Sequence, residues 1–150
     1  MKNIAFIGTS HIHTPNFISK VNSNNQINCI GVWDKDKKRS KSDSENLKCN
    51  NYDDYINLLK EPNLDGVIVC SETNLHYELV QKITEHKKHC FIEKPLGIGK
   101  KDSFEMANLI ESSKIIFQTG YFMRSNPVYI KLKELITTNY FGDISRIRLV

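Results

Sequence analysis

The chain has 150 residues, of which 39% are hydrophobic and 25% charged, and a formal net charge of +4. That length suits one domain with a real core, since a chain of this size removes roughly two thirds of its unfolded surface from water, and two complete domains do not fit. No apolar run approaches the ~20 residues of a membrane-spanning helix, which excludes a transmembrane protein.

The N-terminus Met1-Lys2-Asn3 leads straight into an apolar stretch without a signal-like segment. Cys29, Cys49, Cys70 and Cys90 stand far apart, without the close pairs that bind zinc. Both features point to a cytoplasmic protein with reduced thiols. The basic residues Lys35, Lys37, Lys38, Arg39 and Lys41 alternate with Asp34, Asp36 and serines, which is the pattern of a solvated face. No aromatic residues interleave with them, and no second basic stripe exists, so nucleic-acid binding is not expected.

In chain order, an apolar run at residues 4–8 reads as a strand and residues 16–22 as a helix. A second strand at 27–33 precedes a polar helical segment at 36–46. Asn51-Tyr52 reads as a short edge strand, followed by a helical stretch at 53–60 and a strand at 66–70. Over 75–86, Leu75, Leu79 and Ile83 recur at i, i+4 and i+8 and share one helical face. A strand at 90–92 comes next. Residues 102–112 read as a helix with Asp102 or Ser103 as N-cap and Phe104, Ala107 and Ile110 along one face. A strand at 115–119 follows. Several strands are continuously apolar, as expected when helices cover both faces of a parallel sheet. Alternating strands and helices predict an α/β fold with a doubly wound parallel sheet, whose ligands sit at the carboxyl ends of the strands.

The residues just after each strand are therefore the candidate site. After the first strand comes Gly8-Thr9-Ser10-His11-Ile12-His13. Gly8 permits a tight turn, and a following helix N-terminus offers free N–H groups and a positive dipole end to a phosphate. Ser10 and His13 stand where the second and third glycines of G-x-G-x-x-G would lie, so an ordinary strand-to-helix turn is an equal alternative. Asp34, after the second strand, suits the two hydroxyls of an adenosine ribose and would repel a 2′-phosphate, which favours NAD over NADP. Lys35 and Arg39 temper that preference by offering nearby positive charge. Asp34 opening a turn is the plainer alternative. His11 and His13 invite a metal reading, yet their i, i+2 spacing does not align the rings and no third ligand lies nearby in sequence. No metal is expected.

After the next two long strands come Ser71-Glu72-Thr73-Asn74-Leu75-His76 and Glu93-Lys94-Pro95-Leu96. Together with Gly120-Tyr121-Phe122-Met123-Arg124-Ser125-Asn126-Pro127, these motifs resemble, in order and across the whole chain, the glucose-fructose oxidoreductase / inositol dehydrogenase (Gfo/Idh/MocA) family. The resemblance implies a nicotinamide-binding Rossmann domain and hydride transfer to or from a sugar, cyclitol or related polyol. It places Lys94 beside the nicotinamide and the substrate hydroxyl as the catalytic residue. It implies that Ser71, Thr73 and Asn74 contact the cofactor, that Glu93 orients Lys94 or the ribose, and that Pro95 follows a cis peptide. Glu72 departs from the family's usual pattern. His76 falls at the first turn of a helix, where a structural hydrogen bond competes with a direct role. Without the surrounding order, Glu93-Lys94 would read as a solvated turn.

The resemblance also divides the chain into a dinucleotide-binding domain at 1–121 and the start of a substrate and subunit-pairing domain at 122–150, with a helix over 127–138 and a first strand over 144–150. On that reading the chain is a truncated fragment. It is inactive alone, and the intact protein forms homo-oligomers. The other reading is a non-catalytic nucleotide-binding or sensing module that kept the fold.

Overall fold

The computed structural model describes residues 1–148. Residues 1–120 form one compact unit, and a second begins at Tyr121.

The first unit alternates strand and helix throughout: β1 (Lys2–Ile7), α1 (Thr14–Asn22), β2 (Ile27–Trp33), α2 (Lys37–Leu47), β3 (Asn50–Asn51), α3 (Tyr55–Leu59), β4 (Gly66–Val69), α4 (His76–Glu85), β5 (His89–Ile92), α5 (Lys100–Ser113) and β6 (Phe117–Thr119). The strands form one sheet in the order β3-β2-β1-β4-β5-β6. Every pairing is parallel. The order reverses at β1, and the chain crosses from one side of the sheet to the other between β3 and β4. This is the doubly wound Rossmann arrangement expected from the sequence.

Side chains alternate across the sheet, and the core divides accordingly. Ala5 and Ile7 pack with Val67, Val69, Leu79, Ile83 and Met106 on one side. Phe6 and Val32 pack with Ile18, Val21 and Leu47 on the other. Burying each such side chain contributes roughly 1.5–3 kcal/mol. A strand apolar at every position is thus explained, because both of its faces are covered.

Helix starts are set locally. Asp36 caps α2 by accepting from the amides of Lys38 and Arg39, and Asp54 caps α3 by accepting from Ile56 N. At α5 the sequence expectation is corrected. The N-cap is Gly99, without a side-chain bond, and the helix starts ahead of Asp102. Its inward side carries Met106, fully buried, whereas Phe104 is 61% exposed. Ile110, one turn beyond Met106, packs with it against the core of Leu79 and Ile83, while Phe104 and Ala107 face outward.

In the second unit, a 3-10 turn at Phe122–Ser125 precedes α6 (Pro127–Thr137), whose N-cap Asn126 accepts from Val128 N. The helix expected over 127–138 is present. The strand expected over 144–150 is not: residues 144–148 take no strand pairing, and the last two positions lie outside the described residues. A strand requires a ladder partner, and no strand lies beyond β6 among the described residues. Nor, among those residues, is any helix long and apolar enough to cross a membrane.

The turn after β1 has the least room. Gly8 sits at φ +75°, and a Cβ there would lie 2.4 Å from Ser71 Cβ and 2.6 Å from Ser71 Cα. Backbone cannot move aside as a flexible side chain does. Gly8→Ala is therefore expected to destabilise the protein by about 2–4 kcal/mol through overpacking and left-handed strain, read as a lowered urea midpoint at unchanged slope.

Candidate functional site

Strand register brings the candidate residues to one edge. Ile7 lies opposite both Trp33 and Val69, Val69 opposite Ile92, and Ile92 opposite Thr119. These five strand ends form a single row, so Gly8, Asp34, Cys70, Glu93 and Gly120 leave the sheet side by side. Backbone bonds tie the row together beyond the strands: Gly8 N donates to Trp33 O, Cys70 N to Gly8 O, Glu93 N to Val69 O and Gly120 N to Ile92 O.

The turn after β1 folds across this edge. Thr9 N donates to the Asp34 carboxylate, His11 N to Cys70 O and His13 N to His11 Nδ1. The amides of Ser10 and Ile12 have no acceptor among the described residues, so two backbone donors remain at the lip of the crevice. Ile12 is 82% exposed there.

At the β2 end, Asp34 is 1% exposed. Its Oδ2 accepts from Thr9 N at 2.6 Å, Thr9 Oγ1 at 3.1 Å and Arg39 Nε at 3.1 Å. Its Oδ1 accepts from Asp36 N at 2.7 Å and Arg39 Nη2 at 2.8 Å. A carboxylate offers about four lone-pair sites, so all of them are engaged and none is left for a ribose diol while Arg39 holds this pose. Burial pushes the Asp34 carboxyl up. The Arg39 hydrogen bonds, the amides of Thr9 and Asp36, and the Arg39 charge outweigh that push, and the net shift is downward. Lys35 is exposed and forms no side-chain bond among the described residues. Glu72, also exposed, lies 3.8 Å from Arg39 Nη2.

At the β4 end, Ser71 is buried, with its hydroxyl on Glu72 O. Thr73 and Asn74 lie in a 3-10 turn that runs into α4. His76 is fully buried, and its Nδ1 stands 3.0 Å from Pro95 O and 3.1 Å from Leu96 O. Carbonyls only accept, so Nδ1 carries the proton. Its Nε2 has no partner among the described residues. This histidine fastens α4 to the turn after Lys94, and the Lys94-Pro95 peptide is cis.

At the β5 end, Glu93 is 3% exposed. Its Oε2 accepts from Lys94 N at 2.9 Å, and its Oε1 faces His13 Nδ1 at 3.1 Å and His11 Nδ1 at 3.9 Å. Lys94 is half-buried, and its ammonium has no partner among the described residues. Burial lowers the His11 pKa first of all, against an opposing pull from Glu93, with His13, Lys94 and His76 adding to the fall.

The description "Oxidoreductase family, NAD-binding Rossmann fold" belongs to a family model, Gfo/Idh/MocA, that matches residues 2–121. The chain belongs to this family. As a Gfo/Idh/MocA protein it is 37% identical over 98 residues to the myo-inositol 2-dehydrogenase of Thermotoga maritima, a match covering 65% of this chain and 29% of that one. It is 27% identical over 143 residues to an inositol 2-dehydrogenase/D-chiro-inositol 3-dehydrogenase of Lactiplantibacillus plantarum, covering 93% and 39%. The chain thus spans well under half the length of these curated relatives. Its fold matches the scyllo-inositol dehydrogenase of Lactobacillus casei, solved with NAD(H) and scyllo-inositol, at TM-score 0.81 and 18% identity, covering 97% of this chain and 43% of that one. The cofactor class of this Gfo/Idh/MocA domain is NAD.

Of the two cations expected near Asp34, Arg39 is the one that binds it, and Lys35 is not. The partnership of Glu93 with the two histidines of the first turn escapes a reading of the sequence, because nothing local links His13 to a residue 80 positions away.

The Asp34–Arg39 pair makes a pH prediction. A carboxyl whose folded pKa is depressed contributes stability that is present above its ordinary value of about 3.9 and is lost as pH falls through the lower folded value. Arg39→Ala raises that folded pKa, so acid unfolding followed by circular dichroism should begin at higher pH. It should also cost roughly 2 kcal/mol at neutral pH, from the buried carboxylate left without its cation.

Proposed function

We propose that this chain supplies the cofactor half of an NAD(P)-dependent dehydrogenase that exchanges a hydride with a sugar, cyclitol or related polyol. The observation that carries the reading is the unpartnered Lys94 ammonium on the same sheet edge as the Gly8 turn. The inositol dehydrogenase names of the relatives support the substrate class.

The free amides of Ser10 and Ile12 suit the cofactor diphosphate, with Ser71, Thr73 and Asn74 facing it from the β4 end. A bound dinucleotide would cover exposed Ile12, and Arg39 turns its remaining N–H groups to the ribose. Bound nicotinamide supplies the hydride acceptor. Lys94 as a neutral amine takes the hydroxyl proton as the hydride leaves the carbon, and as an ammonium returns it in the reverse direction. His76 positions Lys94 by holding the two carbonyls that follow it. Residues 121 onward belong, on this reading, to a substrate domain, and the 150 residues bind cofactor without turning over polyol.

The reading of a non-catalytic nucleotide-binding module is favoured by the departures from the family pattern at Ser10, His13 and Glu72. Calorimetric titration with NADH tests the cofactor role that both readings share, and Lys94→Ala decides between them. Binding with a dissociation constant below about 1 mM is expected. Lys94→Ala should leave that affinity within about twofold while lowering hydride transfer in the full-length enzyme at least about 100-fold. Failure of NADH to bind overturns the cofactor role, and an active Lys94→Ala enzyme overturns the catalytic one. Because Arg39 cancels the repulsion that Asp34 would exert on a 2′-phosphate, Arg39→Ala should shift the NADH-to-NADPH affinity ratio about tenfold toward NADH.

A further inference from the structure

Glu93 is buried at the end of β5, and its partners there are histidines. Within 4.0 Å of its oxygens the ionisable neighbours among the described residues are two imidazoles, His11 and His13, with no lysine or arginine. One ligand atom from each of the three residues can be chosen so that all lie within 4.8 Å of one another. The rings meet edge to face, with centroids 4.8 Å apart and planes at 71°.

In the metal-free chain, hydrogen bonds hold the three side chains together. His11 Nδ1 accepts from His13 N at 3.3 Å and is therefore unprotonated, and His13 Nδ1 donates to Glu93 Oε1 at 3.1 Å. Glu93 Oε1 lies 3.9 Å from His11 Nδ1, too far for a direct hydrogen bond. An ion entering here would displace the His13 proton to solvent and take the nitrogen lone pairs in place of these hydrogen bonds. The spacing suits one. A tetrahedral ion with ligand bonds of about 2.0–2.1 Å holds its ligand atoms roughly 3.3 Å apart, and the two measured distances, 3.1 Å and 3.9 Å, bracket that value. The carboxylate is also held in place. Its second oxygen accepts from Lys94 N at 2.9 Å, and a Cβ on Gly120 would come within 2.9 Å of that oxygen, so Oε1 is the atom left to point at the rings.

We propose that His11, His13 and Glu93 form a binding site for a divalent transition-metal ion of the zinc or cobalt kind, with a fourth position open to water or a ligand oxygen. Two imidazoles and a carboxylate are a donor set such ions accept, and three protein ligands with one open position is the form of a site that exchanges its fourth ligand. Magnesium and calcium favour all-oxygen sites and are poorly matched. This inference goes beyond the dehydrogenase reading and does not depend on it.

The test is titration of the metal-free 150-residue chain with ZnCl2 by calorimetry and with CoCl2 by visible absorbance, in chelator-treated buffer. One ion per chain is expected, with a dissociation constant on the order of 10 µM or tighter and the absorption bands of a tetrahedral cobalt centre. His11→Gln, His13→Gln and Glu93→Gln should each weaken binding at least about tenfold, and His86→Ala, outside the cluster, should not. Circular dichroism identifies any variant that fails to fold, and the two histidine variants, on a partly exposed turn, suffice if Glu93→Gln is lost. Absence of binding near 1 mM metal, about a hundredfold above the expected constant, overturns the site, as does binding that the His11 and His13 variants leave unchanged. NADH titration of the same samples reads the cofactor role separately, so either claim can fail while the other stands.

Discussion

Everything at the crevice depends on how closely the chain leaving β1 passes the chain leaving β4. These two strands are neighbours at the point where the sheet order reverses, and Gly8 gives its carbonyl to Cys70 N while its own N–H reaches Trp33 O on the other flank. The turn is thereby pinned on both sides within one residue of the strand end. Only a residue without a Cβ passes Ser71 at this separation. Because the turn is pinned, Thr9 N meets Asp34, His11 N meets Cys70 O, and His13 arrives over Glu93. A looser exit from β1 would free the donors that now organise three strand ends.

The strands and their order were legible in the sequence for a physical reason. A parallel strand covered on both faces must be apolar at almost every position, and the runs ending at Ile7, Trp33, Val69 and Ile92 have that character. Even β3 showed at its edge, although the expected Asn51-Tyr52 shifts by one residue to Asn50–Asn51. Helix faces were less legible. Leu79 and Ile83 of α4 are buried as their spacing requires, but in α5 only Ile110 of the spaced set Phe104, Ala107 and Ile110 packs inward, beside Met106, which the spacing did not mark. Strand formation at 144–148 depends on a partner that no local pattern supplies.

The site was legible as a set of positions and not as a set of partners. Gly8, Asp34, Ser71 and Lys94 follow strands, and strand ends can be read from hydrophobic runs. Which side chain touches which is fixed by the third dimension. The link from His13 to Glu93 joins the first turn to the fifth strand, and the bond from His76 to the carbonyls of Pro95 and Leu96 joins α4 to the turn after Lys94. Sequence spacing offers no third donor near His11 and His13, and the sheet brings the Glu93 carboxylate to them from a strand two places away in the sheet order.

The rule that an acidic residue after β2 signals NAD rests on charge, and here the charge is altered by its surroundings. Asp34 keeps its negative charge, since its net pKa shift is downward, yet a guanidinium binds both of its oxygens. A 2′-phosphate approaching this end meets a neutral pair whose outer face is Arg39, a third exposed, with Glu72 beyond it. The geometry that arranges this is short-range. Asp36 caps α2 and accepts from Arg39 N itself, so the same turn that starts the helix places Arg39 in its first turn, within reach of Asp34. Cofactor preference in such a domain therefore follows from the residue at the strand end together with the first turn of the helix after it, and the identity of the acid alone is insufficient to assign it.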